Sequence, residues 1–400
     1  MKTILLISTF VLSTIVNAQN TWLQKADYGG DARHAAVGFV IGTKAYIGTG
    51  TDDNIFFSDL WEWDQTNDTW TQKKSFPGAA RREAVAFSIG TKGFIGTGCC
   101  PGYSDFWEYD SKTDTWTAIA PFPGGQTMTG IAFSIGGKGY VGLGDDGGQE
   151  FSQKIYEYDT LTENWTQKAD FPGAGRTDAL GFSMNGKGYV AIGDDGTLPM
   201  LKDFWEYDPT NDTWTQKADF QGGPRTTAAG FAIASISKAY IGTGDDDSGL
   251  FSDFWEWDIA TDTWSQKLDF GGGVRTDETG FSIGNKGYIV LGQLGAPPEF
   301  NELWEYTPLT TGINDIISSD LVTIFPNPFS TQAVFKIQDN FKNATLIVYN
   351  SIGKEVKQIK DISGHTFILQ RDNILRSGLY FIRLTEGSKT IATEMLIITD

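Results

Sequence analysis

Residues 181–214 read GFSMNGKGYVAIGDDGTLPMLKDFWEYDPTNDTW, and this stretch decides the fold. With the preceding Leu180, the run to Met184 is apolar and reads as a strand, a. Asn185-Gly186-Lys187-Gly188 signals a hairpin, because Asn-Gly accepts the positive φ of a type I′ turn. Tyr189 to Ile192 is a second strand, b, ending at the acidic tip Asp194-Asp195-Gly196. Asp203 to Asp208 is strand c, residues 209–212 turn the chain, and Thr213 to Lys217 is strand d. Four short antiparallel strands in one unit describe a propeller blade.

Copies of this unit fill three quarters of the chain. The tryptophan of strand d recurs at Trp22, Trp70, Trp116, Trp165, Trp214 and Trp264. The aromatic of strand c recurs at Trp61, Trp107, Tyr156, Trp205, Trp255 and Trp304. The spacing, about 46 to 50 residues, is that of a propeller or solenoid. Six a-b-c units begin near Arg33, Arg81, Thr127, Arg176, Arg225 and Arg275. The first d strand, Thr21 to Lys25, precedes all of them, and the sixth unit ends at Trp304-Glu305-Tyr306 with no d strand after it. A closed ring resolves both loose ends and removes an open sheet edge. The expectation is an all-β chain whose residues 19–306 form a six-bladed β-propeller closed by its N-terminal strand.

The 400 residues include 48 glycines and 14% aromatics, a mix suited to short strands and tight turns. The formal charge of -19 disfavours nucleic acid and anionic membranes as partners. Residues 1–18 read as a signal peptide: Lys2, an apolar core from Ile4 to Val16, and the cleavage site Val16-Asn17-Ala18. No later stretch is long and apolar enough for a transmembrane helix. The two cysteines, Cys99 and Cys100, are adjacent, which leaves a vicinal disulfide and two free thiols both open.

The glycines ending strand b (GTG, GLG, AIG), the tyrosine before them (KGY, KAY) and the strand-d TW resemble the kelch repeat, the galactose oxidase-like class of propeller. A residue between or before the glycines departs from that family's Gly-Gly doublet. After a linker, residues 307–315, the pattern changes to alternating apolar runs that predict a small β-sandwich at residues 316–400. Phe325-Pro326-Asn327-Pro328, Ser351-Ile352-Gly353-Lys354, Ser377-Gly378-Leu379-Tyr380 and the closing Met395 to Ile398 resemble the type A C-terminal sorting domain of the type IX secretion system of Bacteroidetes. That resemblance implies the type IX machinery as a partner and a secreted protein, extracellular or on the outer-membrane surface of a Gram-negative bacterium.

Chemistry is less legible. In an up-and-down blade the d–a and b–c connections share one face. That mouth is expected to collect Arg33, Arg81, Arg176, Arg225 and Arg275 together with the b–c tips, chiefly Asp145, Asp194 and Asp245. Two arrangements fit: an anion receptor for a glycan or protein, or mutual neutralisation, since like charges about 8 Å apart repel by roughly 2 kcal/mol. Strand c repeats a glutamate, Glu62, Glu108, Glu157, Glu206, Glu256 and Glu305, which reads as scaffold paired to strand-d lysines. Symmetry fails at Thr127, Cys99-Cys100-Pro101, Gln293 to Glu299 and His34. The kelch resemblance implies two activities to weigh. A copper-radical oxidase needs more imidazoles than His34 and the tail's His365 provide. A sialic-acid mutarotase uses arginine and carboxylate groups in the mouth, which Asp178, Asp277 and Glu278 echo. No cofactor and no metal set is legible; structural calcium at the Asp-rich tips lacks the spacing of a calcium loop. The leading expectation is a secreted kelch propeller acting as a binding or interaction module, with no catalytic set assigned. The alternative is a carbohydrate-active enzyme, an acidic-sugar epimerase, mutarotase or lyase.

Overall fold

The structure is a computed structural model that describes residues 20–148, 151–246, 248–295, 297–308, 322–350, 354–386 and 389–399. The expected signal peptide and most of the linker lie outside them. The chain divides into two compact units, Met1–Leu309 and Thr310–Asp400.

The first unit is a six-bladed propeller. The blade that sequence reads most plainly holds Leu180–Met184, Lys187–Gly193, Leu201–Asp208 and Thr213–Lys217, in that spatial order. Four others repeat the a-b-c-d order. The sixth runs Thr279–Ile283, Lys286–Val290, Leu303–Thr307 and is completed by Thr21–Gln24 from the chain start. The register pairs Trp22 with Tyr306 and Leu23 with Glu305, so the ring closes as the strand count requires.

Neighbouring blades are held by three repeated contacts. The strand-d indole reaches back to the preceding blade: Trp70 Nε1 donates to the Ala26 carbonyl at 3.0 Å, Trp214 to Ala169 at 3.2 Å and Trp22 to Leu268 at 3.4 Å. The second contact explains the glycine of KGY. A Cβ on Gly93 would lie 2.1 Å from the Phe39 ring of the preceding blade, and one on Gly188 2.3 Å from Phe133. The third explains the broken glycine doublet. Thr49 and its equivalents in the other five blades take φ between 54° and 70°, with a positive-φ glycine next. The amide of that glycine donates to the following blade, as Gly50 does to Arg81 at 2.8 Å and Gly292 to Arg33 at 3.1 Å. A Cβ at Gly50 would meet the His34 carbonyl at 2.7 Å, so only glycine fits there.

The second unit has five strands, Val322–Phe325, Gln332–Asn350, Glu355–Gln370, Gly378–Glu386 and Lys389–Ile398. The two longest pair along their length with register shifts between residues 336 and 346, which bends them over one core holding Phe335, Leu346, Val348, Ile382 and Leu396. The FPNP segment is stitched to the last strand: Asn327 Oδ1 accepts from the Ile397 amide at 2.8 Å, and the Phe329 amide donates to Ile397 at 3.0 Å. Of the Ser351-Ile352-Gly353-Lys354 motif, residues 351–353 lie outside the described residues.

Candidate functional site

Strand a of each blade is entered through the tripeptide that begins with the arginine position. The residue after the arginine pairs with the b–c tip of its own blade: His34 with Thr51, Arg82 with Cys99, Thr177 with Asp194, Thr226 with Asp245. The d–a and b–c connections therefore do share one face.

The arginines are inside that face rather than on it. Arg33, Arg81, Arg176, Arg225 and Arg275 are each 0% exposed. Each meets the carboxylate at the start of strand c: Arg33 with Asp59 at 2.5 Å, Arg81 with Asp105 at 2.6 Å, Arg176 with Asp203 at 2.5 Å, Arg225 with Asp253 at 2.6 Å and Arg275 with Glu302 at 2.8 Å. The same carboxylate accepts the strand-c indole, as Asp203 does from Trp205 at 2.7 Å. Guanidiniums also lie over rings, Arg33 over Phe57 at 3.7 Å and Arg275 over Phe300 at 3.9 Å. Burial opposes ionisation of Asp203, yet Arg176 and Trp205 hold its pKa below the usual range. The arginines are neutralised inside the blades, but by the carboxylates that open strand c and not by the b–c tip aspartates expected from sequence. The third blade confirms the pairing as a unit: Thr127 replaces the arginine where Lys154 replaces the aspartate and Tyr156 the tryptophan.

The acidic tips are mostly turn formers. Asp145 Oδ1 accepts from the Gly147 amide at 2.7 Å and Asp194 Oδ1 from Gly196 at 2.7 Å. Asp245 instead accepts from the Thr227 hydroxyl at 2.5 Å and Thr276 at 3.1 Å. Asp247 lies outside the described residues. The strand-c glutamates are scaffold: Glu62 accepts from Lys44 at 2.5 Å and Tyr46 at 2.6 Å, with Lys73 at 3.8 Å. The nearest lysine to Glu62, Glu108, Glu157 and Glu305 comes from strand b, whereas Glu256 is met first by Lys267 after strand d, at 3.1 Å. Cys99 and Cys100 are joined as a vicinal disulfide.

What occupies the centre of the face is a set the sequence pattern names only in part. Two residues past each arginine position stand Ala35, Glu83, Thr129, Asp178, Thr227 and Asp277, all with φ between 50° and 61°. Their backbones form a closed circle of hydrogen bonds. Glu83 donates to Ala35 at 3.1 Å, Thr129 to Glu83 at 3.3 Å, Asp178 to Thr129 at 3.2 Å, Thr227 to Asp178 at 3.3 Å, Asp277 to Thr227 at 3.1 Å and Ala35 to Asp277 at 3.0 Å. Six left-handed non-glycine residues, each costing about 1–3 kcal/mol, mark a place where the ring overrides local preference. Because the amides face one another, the side chains supply the chemistry. Carboxylates stand in the second, fourth and sixth blades, alternating with Ala35, Thr129 and Thr227.

These residues and their successors, including Glu278, line a cavity of about 130 Å³. Burial raises the Asp178 carboxyl to about 7, with the charges of Asp277 and Glu83 adding to it. Burial raises Glu278 to about 8, and among the described residues neither of its oxygens lies in hydrogen-bonding geometry with a partner. Glu83 and Asp277 are raised by burial as well; Arg82 opposes the first, while Gln293 and His34 oppose the second. Arg82, whose Nε sits 3.0 Å from the Glu83 carboxylate, is the arginine that reaches this centre. It follows a strand-a arginine, and a pattern built on the repeat passes over it.

A pH dependence follows. The folded pKa of Asp178 and Glu278 lies above the unfolded value near 4. Both groups therefore hold a proton in the fold that the unfolded chain has released. Their stabilisation is complete below pH 4 and is lost as pH rises through 7 to 8. The carboxyls with lowered pKa, such as Asp203, lose their stabilisation only on acidification towards their own low values. Thermal unfolding should show a higher Tm at pH 5 than at pH 8.5, by about 5 °C. The slope should flatten in Asp178→Asn and Glu278→Gln; an unchanged slope in both would refute the assignment.

The family model for the secretion system C-terminal sorting domain matches residues 323–399. A search of curated proteins found no match to the chain. Among solved structures, YjhT is similar with a TM-score of 0.61 at 15% identity, covering 71% of this chain and 97% of that one. That likeness speaks to the propeller fold. The sorting domain marks the chain as a secreted or cell-surface protein that engages the type IX secretion machinery. No helix among the described residues is long and apolar enough to cross a membrane.

Proposed function

We propose that the propeller is a binding module, exported to the outer-membrane surface or medium of a Gram-negative bacterium, that grips the amine-bearing end of a glycan at the acid-lined centre of its mouth. The carrying observation is the alternation of Glu83, Asp178 and Asp277 around a closed backbone circle, with Glu278 beside it and one guanidinium, Arg82, nearby. With the other arginines consumed inside the blades, the anion receptor loses its donors. Arg82 already meets Glu83 and Gln293 donates to Asp277, so an ammonium group would supply the countercharge that Asp178 and Glu278 lack. The cavity of about 130 Å³ accommodates such a group, and the rest of the ligand extends to the rim near Asp145, Asp194 and Asp245. A kelch-type interaction role fits this picture.

A glycan array probed with the purified mature chain tests it. Amino sugars and aminoalkyl glycosides should be retained, and sulfated or uronic glycans should not. Retention of the anionic set alone would overturn the reading; retention of lysine-rich protein instead of any glycan would move it to a protein ligand. One observation favours a second reading, an acid–base enzyme. A carboxyl held near 7 is suited to proton transfer at neutral pH. Turnover of acidic sugars by the parent chain, lost in Asp178→Asn, would support it, and no turnover in the parent would end it.

A further inference from the structure

At the rim between the first and sixth blades, three loops bring together the one group among the described residues whose His, Asp and Glu ligand atoms all lie within 4.8 Å of one another: His34, Asp53 and Glu299. His34 and Glu299 come from places where the repeat is broken. His34 follows Arg33 in the first blade's d–a connection. Asp53 lies on the first blade's b–c tip, at a φ of 67°. Glu299 closes the QLGAPPE segment that replaces the acidic tip in the sixth blade. The backbone fixes them relative to one another, since His34 and Thr51 exchange amide hydrogen bonds at 2.9 and 3.0 Å, and Arg33 donates to the Phe300 carbonyl at 3.4 Å.

The electrostatics of the group are incomplete without a further partner. His34 is 2% exposed, yet its imidazole makes no hydrogen bond among the described residues: Nδ1 is sealed from solvent without one, and Nε2 faces the Asp53 carboxylate at 3.5 Å. Glu299 Oε1 is likewise sealed and unpaired. A buried polar atom left unpaired costs about 1–3 kcal/mol, so the two sealed atoms of this group, His34 Nδ1 and Glu299 Oε1, require an explanation. A cation bound at about 2.0–2.2 Å from each of three ligands sets those ligands about 3.4 Å apart, close to the His34–Asp53 separation seen.

We infer that His34, Asp53 and Glu299 form a site for one divalent transition-metal ion of the zinc class. One imidazole with two carboxylates suits zinc or manganese; calcium prefers an all-oxygen shell with more ligands. Three protein ligands leave at least one position open to water or to a ligand's hydroxyl. The site joins the first and sixth blades, the pair through which the ring closes. It also borders the acidic mouth, because Ala35, next to His34, donates to the Asp277 carbonyl. A ligand gripped at the mouth could thus reach the metal with a neighbouring hydroxyl. The inference does not depend on the ligand proposed above.

Equilibrium dialysis of the apo mature chain against zinc, manganese and calcium, with Tm read in parallel, tests it. The expected result is one zinc or manganese ion per chain, a Tm raised by several degrees, and no response to micromolar calcium. Asp53→Asn and Glu299→Gln, both on loop side chains that can change without emptying the core, should each weaken binding at least tenfold. His34→Ala should abolish it; should that variant misfold, His34→Gln serves with the two loop variants. Absence of stoichiometric zinc or manganese, or binding unchanged in Asp53→Asn and Glu299→Gln, overturns the site. A response to calcium equal to that of zinc would overturn the assignment of metal class.

Discussion

Replacing Asp203 by Ala should destabilise the propeller by about 3–5 kcal/mol, the usual result of stranding a buried charge. Arg176 is 0% exposed and holds its guanidinium on Asp203 at 2.5 and 2.9 Å, with the Ile192 carbonyl as a further acceptor at 2.9 Å. Without the carboxylate, the charge stays buried with carbonyls alone. Trp205 loses the acceptor of its indole N–H in the same change. Urea unfolding at pH 7 measures the loss. The third blade supplies a control, because it has dispensed with arginine, aspartate and tryptophan together. Combining Asp203→Lys with Arg176→Thr and Trp205→Tyr should therefore recover much of the loss that Asp203→Ala inflicts. If Asp203→Ala left stability within about 0.5 kcal/mol of the parent, the internal role of the arginines would be refuted and the mouth would regain them as ligand donors.

The second large effect concerns closure. A mature chain beginning at Asp27 lacks the strand Thr21–Gln24 and with it Trp22. That indole lies 4.9 Å from each of the rings of Phe254, Phe270 and Tyr306 and ties to the fifth blade through Leu268. Loss of Trp22 alone costs about 3 kcal/mol or more. The bare edge of Leu303–Thr307 is then free to pair with another chain. The shortened protein should melt well below the parent and form oligomers in size-exclusion chromatography. A synthetic peptide spanning residues 19–27 should restore the monomer and part of the Tm. Monomeric behaviour with an unchanged Tm would mean the ring does not depend on that strand.

The architecture was legible because it is repeated. Each strand signal occurs six times, so a weak cue such as Asn185-Gly186 gains weight from its copies, and the mismatch between the chain's two ends states the closure. The mouth was harder for the same reason. The eye follows what recurs, and the recurring arginines are recurring because they are scaffold. The signal that they were internal was present in the third blade, where Thr127, Lys154 and Tyr156 change as a set. It is visible only once the strand-c aspartate is recognised as the arginine's partner. The centre is set by the position two residues past each arginine, where the side chains differ from blade to blade. Asp178 and Asp277 stood out as carboxylates near arginines; Glu83 and Arg82 did not, because nothing local distinguishes them from surface charges. Their meaning comes from the circle of backbone hydrogen bonds, a long-range property of all six blades. The His34, Asp53 and Glu299 group has the same character: His34 and the segment ending in Glu299 read as breaks in the repeat, while their meeting with Asp53 depends on the first blade lying beside the sixth.

Proton release on ligand binding tests the account most directly. An aminoalkyl glycoside keeps its ammonium charged well above neutrality, as a lysine does with a pKa of about 10.4. Near pH 6.5 the Asp178 carboxyl, raised to about 7, is largely protonated and must ionise to meet that ammonium. Calorimetry of the full mature chain at pH 6.5, in buffers of different ionisation enthalpy, should report net release of a fraction of a proton or more per ligand, diminished in Asp178→Asn. Binding that releases no proton, or binding that prefers a uronic oligosaccharide to the amine, would contradict an acid-lined mouth as the recognition site.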